Sequence, residues 1–129
     1  MIIDTSALIA ILRDEPAAGA LREALIRPEP KRISTGTLLE AAIVVDANND
    51  PVLSNRLDDL LAIAEIEPVP VTAGHVDVAR AAYRNFGKGS GHPAGLNFGD
   101  CFAYALARVE REQLLFVGDD FGHTDVIAV

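Results

Sequence analysis

The sequence predicts an α/β domain with a mainly parallel central sheet. Short apolar runs at residues 1–3, around Ile33 and at 114–117 alternate with stretches that repeat apolar residues at helical spacing, the pattern of strand–helix units. Leu114-Leu115-Phe116-Val117 is apolar throughout, as expected of a strand covered on both faces. The length of 129 residues suits a single domain, 1–129, with one sizeable core.

Each element follows from local chemistry. Residues 1–3 form a buried strand ending at Asp4, and Asp4-Thr5-Ser6 supplies side chains able to cap a helix starting near Ala7. Residues 7–12 and 17–25 read as two helices, parted by the acidic break Asp14-Glu15-Pro16; Pro28-Glu29-Pro30 ends the second. Arg32-Ile33-Ser34 is a short strand, and Ser34 or Thr35 caps a third helix running through Glu40 to about Ala47. Asn48-Asn49-Asp50-Pro51 breaks it. Residues 52–64 then place Leu53, Leu57, Leu60, Leu61 and Ala64 along one helical stripe. Residues 66–71 are β-like, but Pro68 and Pro70 confine that strand to a short length or an edge. Thr72 caps a helix with Val76, Ala79, Ala82 and Tyr83 on its inner side. Residues 87–95 hold four of the ten glycines and Pro93, and form the one long loop. A helix over 98–112, the strand 114–117, the break Gly118-Asp119-Asp120 and a last strand over 126–129 complete the chain.

Half of the residues are apolar and 23% are charged, which excludes a disordered chain. No apolar run reaches the length of a membrane span, and no basic segment precedes an apolar one at the N-terminus, so Met1 reads as the true start rather than part of a signal peptide. Cys101 is the only cysteine and lies among Phe102, Ala103 and Ala105, where a thiol behaves as a small buried hydrophobe. A chain without disulfides agrees with a cytoplasmic location. The net charge of −8 runs against a surface that coats phosphates with lysine and arginine. By composition alone it reads as a generally acidic, soluble surface, and part of it accords with carboxylates gathered around a cation.

Four acidic positions suit such a gathering. Asp4 follows the first strand, and Asp119 and Asp120 follow the strand 114–117. Glu40 lies in the first turns of one helix and Asp100 in the first turn of another. In a parallel sheet all of these fall on one edge, beyond the carboxyl ends of the strands. Asp100 shares a helical face with Ala103, Tyr104 and Ala107; Glu40 shares one with Ile43, Val44 and Ala47, so each acid tops a stripe expected to face the core. Taken singly, each acid has a plainer role: Asp4 as a cap, Asp100 as a first-turn acid, Glu40 as a helix-surface residue, Asp119-Asp120 as turn residues. Together, mutually repelling carboxylates ask for a hard divalent cation. Mg²⁺ or Mn²⁺ accepts such oxygen ligands and leaves room for phosphate oxygens. His75, His92 and His123 are too scattered to suggest zinc, and no phosphate-cradling glycine loop occurs.

These residues resemble a known family. Met-Ile-Ile-Asp4-Thr5-Ser6-Ala7-Leu8, Glu40 after Ser34-Thr35, Asn97-Phe98-Gly99-Asp100-Cys101-Phe102-Ala103-Tyr104-Ala105 and Gly118-Asp119-Asp120-Phe121 look like a PIN domain, closest to the toxin half of VapBC toxin–antitoxin pairs. The resemblance spans nearly the whole chain. It implies a three-layer α/β/α fold and an RNA endonuclease dependent on Mg²⁺ or Mn²⁺. It implies Asp4 and Asp100 as principal metal ligands, Glu40 and Asp119 as supporting ones, with Asp120 the alternative fourth acid. It also implies a homodimer silenced by an antitoxin whose tail covers the active site. Thr5, Ser6 and Asn97 lie beside the acids and are positioned to orient them or the phosphate. Many PIN domains carry Thr or Ser two residues before the last acid, where this chain has Val117, so the choice between Asp119 and Asp120 stays open.

Arg80, Arg84 and Lys88 recur every four residues and form a candidate guide for the RNA backbone, or else a solvated face complementing a helix C-terminus. Two other functions compete. A receiver-type signalling domain wants an acidic pair after the first strand and a lysine near the last, whereas Asp4 stands alone and no lysine follows Lys88. A PIN-like domain that binds RNA or a partner without cutting keeps the same acids.

Overall fold

In the computed structural model, which describes residues 1–129, the apolar runs become strands of one sheet and the amphipathic stretches become helices on both of its faces. The order is β1 (Ile2–Ile3), α1 (Thr5–Leu12), α2 (Ala18–Leu25), β2 (Lys31–Ser34), α3 (Thr35–Asp46), α4 (Pro51–Ile63), β3 (Ile66–Val69), α5 (Ala73–Phe86), α6 (Asp100–Glu110) and β4 (Leu114–Leu115), followed by a 3-10 turn at Phe121–His123. The strands lie in the order β3-β2-β1-β4, and every pairing is parallel.

Alternation along the strands divides the core. Ile3 and Leu115 point to one face and pack with Leu8, Ile11, Ile33, Val45 and Leu57. Ile2 and Leu114 point to the other and pack with Leu96, Tyr104, Leu106 and Phe121. This is the α/β/α sandwich expected of a buried parallel sheet. The helices start where capping chemistry dictates. Side chains of Asp4, Ser34, Asp50 and Thr72 accept backbone N–H bonds at the starts of α1, α3, α4 and α5, and Pro51 occupies the first turn of α4. β3 carries Pro68 and lies at an edge, where a missing N–H is tolerated. No helix is long and apolar enough to cross a membrane.

Three local expectations are corrected. Residues 126–129 do not form a strand: they meet β4 through a single parallel bridge between Leu114 and Ala128. The six residues after the 3-10 turn, 124–129, first turn back and reach β4 only near their end, at Ala128. Val76 and Tyr83 face outward (54% and 45% exposed), because α5 packs on α6 through Ala82 and leaves its wide apolar flank uncovered. Ile43, Val44 and Ala47 are exposed as well. α3 buries Thr37, Ala41 and Val45 instead, so Glu40 tops an outward row rather than a core stripe. The loop after α5 is less open than its glycines suggest. It is pinned by a bridge between Gly87 and Leu96 and by the ring of His92 packed edge-on against Phe86, 4.9 Å between centroids.

The strand order fixes where a site can form. The chain steps from β1 outward to β2 and β3, then crosses to β4 on the far side of β1. This reversal opens a crevice beyond the carboxyl ends of β1 and β4. Asp4 leaves β1 there, and residues 117–120 leave β4 there.

Candidate active site

A cleft of about 370 Å³ occupies that crevice, lined by Asp4, Thr5, Ser6, Glu40, Asn97, Asp100 and Asp120, with Glu15, Val117 and Phe121 at its walls. The topology thus gathers carboxylates from the end of β1, from α3, from the start of α6 and from the turn after β4.

Asp4 is the deepest of them. It is 3% exposed, and its backbone N–H donates to the Leu115 carbonyl at 3.0 Å, which fastens the end of β1 to β4. Its Oδ2 accepts two bonds from Ser6, from the backbone N–H at 2.9 Å and from the hydroxyl at 2.6 Å. Ser6 Oγ in turn accepts from the Val117 N–H at 3.0 Å, so one hydroxyl ties Asp4 to the chain leaving β4. Asp4 Oδ1 is buried and has no hydrogen-bond partner at all. Helix capping therefore uses one oxygen of this carboxylate and leaves the other bare. A bare buried carboxylate oxygen is costly unless a cation or a proton meets it.

Glu40 is held from two sides. Thr5 Oγ1 donates to Glu40 Oε2 at 3.0 Å and lies 3.3 Å from the Thr37 carbonyl. On the opposite side the carboxylate sits flush against Gly99, where a Cβ would overlap it. Gly99 is there for close approach, since its backbone is in the ordinary helical region. Asp100 is braced by Asn97: the Asn97 N–H donates to Asp100 Oδ2 at 2.8 Å, and the Asp100 N–H donates to Asn97 Oδ1 at 2.9 Å.

The electrostatics match the crowding. Burial, the largest effect, pushes Asp100 up to about 6, and repulsion from Asp4, Asp120 and Glu40 adds to it. Burial also raises Asp4 and Glu40 above the ordinary carboxylate range, against the hydrogen bonds from Ser6 and Thr5 that lower them. Cys101 is no nucleophile: burial and then Asp100 push its thiol up to about 11.

No three side chains of His, Cys, Asp or Glu converge closely enough to cage a metal by themselves. The all-oxygen donor set fits Mg²⁺, which is held by one or two carboxylates and otherwise keeps waters or substrate phosphate oxygens. The bare Oδ1 of Asp4, with Asp100 across the cleft, meets that requirement.

The two acids of the last turn are placed differently. Asp120 lines the cleft and repels both Asp4 and Asp100, whereas Asp119, preferred from sequence, lies outside it. Gly118 at φ +103° swings the chain, and the Asp119 carbonyl accepts from the Gly122 N–H at 3.0 Å to start the 3-10 turn. That turn presents Asp120 and Phe121 inward. Thr5, Ser6 and Asn97 touch the acids as expected. Arg80 and Arg84 do not reach the cleft; they border a separate groove between α5 and α6, and Lys88 lies exposed beyond α5.

Sequence reasoning missed Glu15, read as part of a helix break. Asp14 adopts the left-handed φ of 53°, turning the chain back so that Glu15 faces the cleft beside Ile9. Ile9 one turn after Thr5 on α1 was the available signal that this end of the helix borders the site.

The family model described as PIN domain matches residues 1–127. Ribonuclease VapC28 of Mycobacterium tuberculosis is 56% identical over 126 residues, covering 98% of this chain and 95% of that one. Ribonuclease VapC30 of the same species is 46% identical over 129 residues, covering 100% and 98%. Among solved structures, VapC20 of Mycobacterium tuberculosis, described as a sarcin-ricin loop cleaving toxin, superposes with a TM-score of 0.74 at 18% identity, covering 99% of this chain and 97% of that one. A toxin–antitoxin complex from Klebsiella pneumoniae gives 0.72 at 18% identity, covering 99% and 95%. Matching along its whole length, and carrying its acids at one end of a parallel sheet, the chain belongs to the PIN domain family and within it to the VapC ribonucleases.

Proposed function

We propose that the chain is a divalent-metal-dependent endoribonuclease, the toxin of a toxin–antitoxin pair, acting in the cytoplasm. The observation that carries the reading is the bare, buried Oδ1 of Asp4, a residue that lines one cleft with Glu40, Asp100 and Asp120. Asp4 and Asp100 would hold Mg²⁺ or Mn²⁺, supported by Glu40 and Asp120 in place of Asp119. Bound there, such a cation supplies an activated water and charge neutralisation at a phosphodiester.

The chain's own residues do the positioning. Ser6 and Asn97 fix the two principal carboxylates through Oδ2 and leave Oδ1 of each without a protein hydrogen bond. Thr5 holds Glu40 against the start of α6. Arg80, Arg84 and Lys88, none of them in an ion pair, guide the RNA strand toward the cleft along α5. A cognate antitoxin covers the cleft. A second copy of the chain covers the outward row of α3, where Leu39 and Ile43 are 61% and 59% exposed. Light scattering tests this dimer, which Ile43→Asp should split.

The activity is tested with purified protein freed of any partner, incubated with mixed structured RNAs and Mg²⁺, Mn²⁺ or EDTA. Cleavage should require the cation. Cleavage that persists in EDTA refutes the metal; binding without cleavage in either cation turns the reading into that of a non-cutting PIN domain.

A further inference from the structure

Glu15 enters the cleft from the end of α1 and is the one acid there with no part in holding the proposed cation. Its place is built by the turn that carries it. Asp14 bends the backbone at φ 53°, the Glu15 N–H donates to the Ala10 carbonyl at 2.9 Å, and the Glu15 carbonyl accepts from the Ala18 N–H at 2.8 Å. Arg22 clamps the outside of the turn, donating to the Ile11 carbonyl at 3.1 Å and to the Asp14 carboxylate at 2.9 Å. Asp14 is thereby held in the open, and Glu15 is half-buried in the cleft wall.

The wall beside Glu15 is apolar. Ile9 and Val117 both line the cleft, both are half-buried, and both pack on the same core cluster. Ile9 follows Ser6 by three residues on α1 and so shares its face, while Ser6 Oγ accepts from the Val117 N–H at 3.0 Å. Ser6 thus joins the two apolar side chains into one surface. Mutual repulsion links Asp4, Glu40, Asp100 and Asp120, and Glu15 has no part in it. Glu15 also borders neither the hollow over α3 nor the groove between α5 and α6, so a second copy seated on α3 does not take this wall.

Such a wall suits a nucleobase better than a phosphate. No lysine, arginine or histidine lines the cleft, so a phosphate brought against Glu15 meets only repulsion. An ionised carboxylate accepts hydrogen bonds and donates none. A base laid on Ile9 and Val117 covers their apolar surface, and an N–H on its edge can meet the carboxylate. Guanine offers two donors side by side, N1–H and N2–H, which match the two carboxylate oxygens. Adenine and cytosine set a ring acceptor beside their amino group, and uracil flanks its N3–H with two carbonyls.

We infer that Glu15, with Ile9 and Val117, forms a base pocket that reads an unpaired guanine next to the scissile phosphate. The inference rests on the ribonuclease reading and names the substrate preference of that site. The guanine must be unpaired, because the edge that meets Glu15 is the one a duplex occupies.

The test uses short uridine oligoribonucleotides carrying one central guanosine, inosine, adenosine or uridine, with wild type, E15Q and E15A. Binding is measured in Ca²⁺ by fluorescence anisotropy. Cut positions in mixed structured RNAs are mapped in Mn²⁺, and Mn²⁺ affinity and a thermal melt are recorded for each protein. Wild type should bind the guanosine oligomer about tenfold more tightly than the uridine one. Inosine, which lacks the N2 amino group, should fall between them, and cuts should lie beside unpaired guanosines. E15Q and E15A should erase the guanosine advantage at wild-type Mn²⁺ affinity and melting temperature. Equal binding of the four oligomers by wild type, or a guanosine preference that survives both substitutions, overturns the pocket while RNA cleavage still upholds the ribonuclease reading. Loss of Mn²⁺ affinity in E15Q overturns it too, by assigning Glu15 to the metal. If wild type cuts none of the RNAs in Mn²⁺, the ribonuclease reading itself falls.

Discussion

Neutralising Asp100 should stabilise the metal-free protein while abolishing its chemistry. Asp100 is raised from 3.8 to about 6, chiefly by burial and then by its carboxylate neighbours. That shift corresponds to about 3 kcal/mol for a fully buried group. Asp100 is partly open to solvent, so screening reduces the figure to roughly 1–2 kcal/mol. Asn at this position retains an oxygen to accept the Asn97 N–H and removes the charge. The folded carboxyl holds its proton more tightly than the unfolded one, so its stabilising contribution is full below the unfolded value of 3.8 and is lost as pH rises through about 6. Asp100→Asn should therefore match wild type near pH 4 and melt roughly 3–8 °C higher at neutral pH in EDTA. Calorimetric or fluorimetric melts across this range read the difference directly. Excess Mn²⁺ should raise the melting temperature of wild type and leave the variant nearly unmoved. A variant that is less stable than wild type at neutral pH, or a gap independent of pH, would refute the account of a strained carboxylate cluster.

Other outcomes follow from the same geometry. Gly99→Ala drives a methyl into the Glu40 carboxylate, so cleavage should fall about tenfold or more with a melting temperature close to wild type; steady-state kinetics and a melt decide it. Asp120→Asn should weaken Mn²⁺ binding measured by titration calorimetry, and Asp119→Asn should not, because only Asp120 lines the cleft. Ser6→Ala removes the hydroxyl that donates to Asp4 and accepts from the Val117 N–H, and should cost about 1–3 kcal/mol in denaturant unfolding.

Much of this was legible in the residues. Apolar runs, proline positions and capping side chains marked the elements, because strand burial and cap hydrogen bonds are local in cause. The placement of Asp4 and Asp100 followed from strand ends and helix starts, which a parallel sheet brings to one edge. What was not legible depended on nonlocal packing. The outer faces of α3 and α5 carry apolar residues that periodicity assigns to the core, yet Ile43, Val44, Val76 and Tyr83 lie outside it. A hydrophobic stripe reports that a face is to be covered, without telling whether the domain's own core covers it. The entry of Asp120 rather than Asp119 into the cleft depended on a positive φ at Gly118, and the arrival of Glu15 on a left-handed Asp14. Single dihedral angles of that kind leave only weak marks in composition. The net charge of −8 also changes meaning. Five acids, Asp4, Glu15, Glu40, Asp100 and Asp120, share one cleft, so a good part of the negative charge is collected where the proposed cation would offset it.

The central claim is that Asp4, through its bare Oδ1, anchors the cation on which RNA cleavage depends. Asp4→Asn keeps an oxygen for the Ser6 bonds and removes the charge, so the fold survives and the site does not. The direct measurement is RNA cleavage by wild type and Asp4→Asn, side by side, in Mn²⁺. The variant should cut at least about 100-fold more slowly at an unchanged or raised melting temperature. Cleavage at the wild-type rate by a folded Asp4→Asn protein would contradict the account.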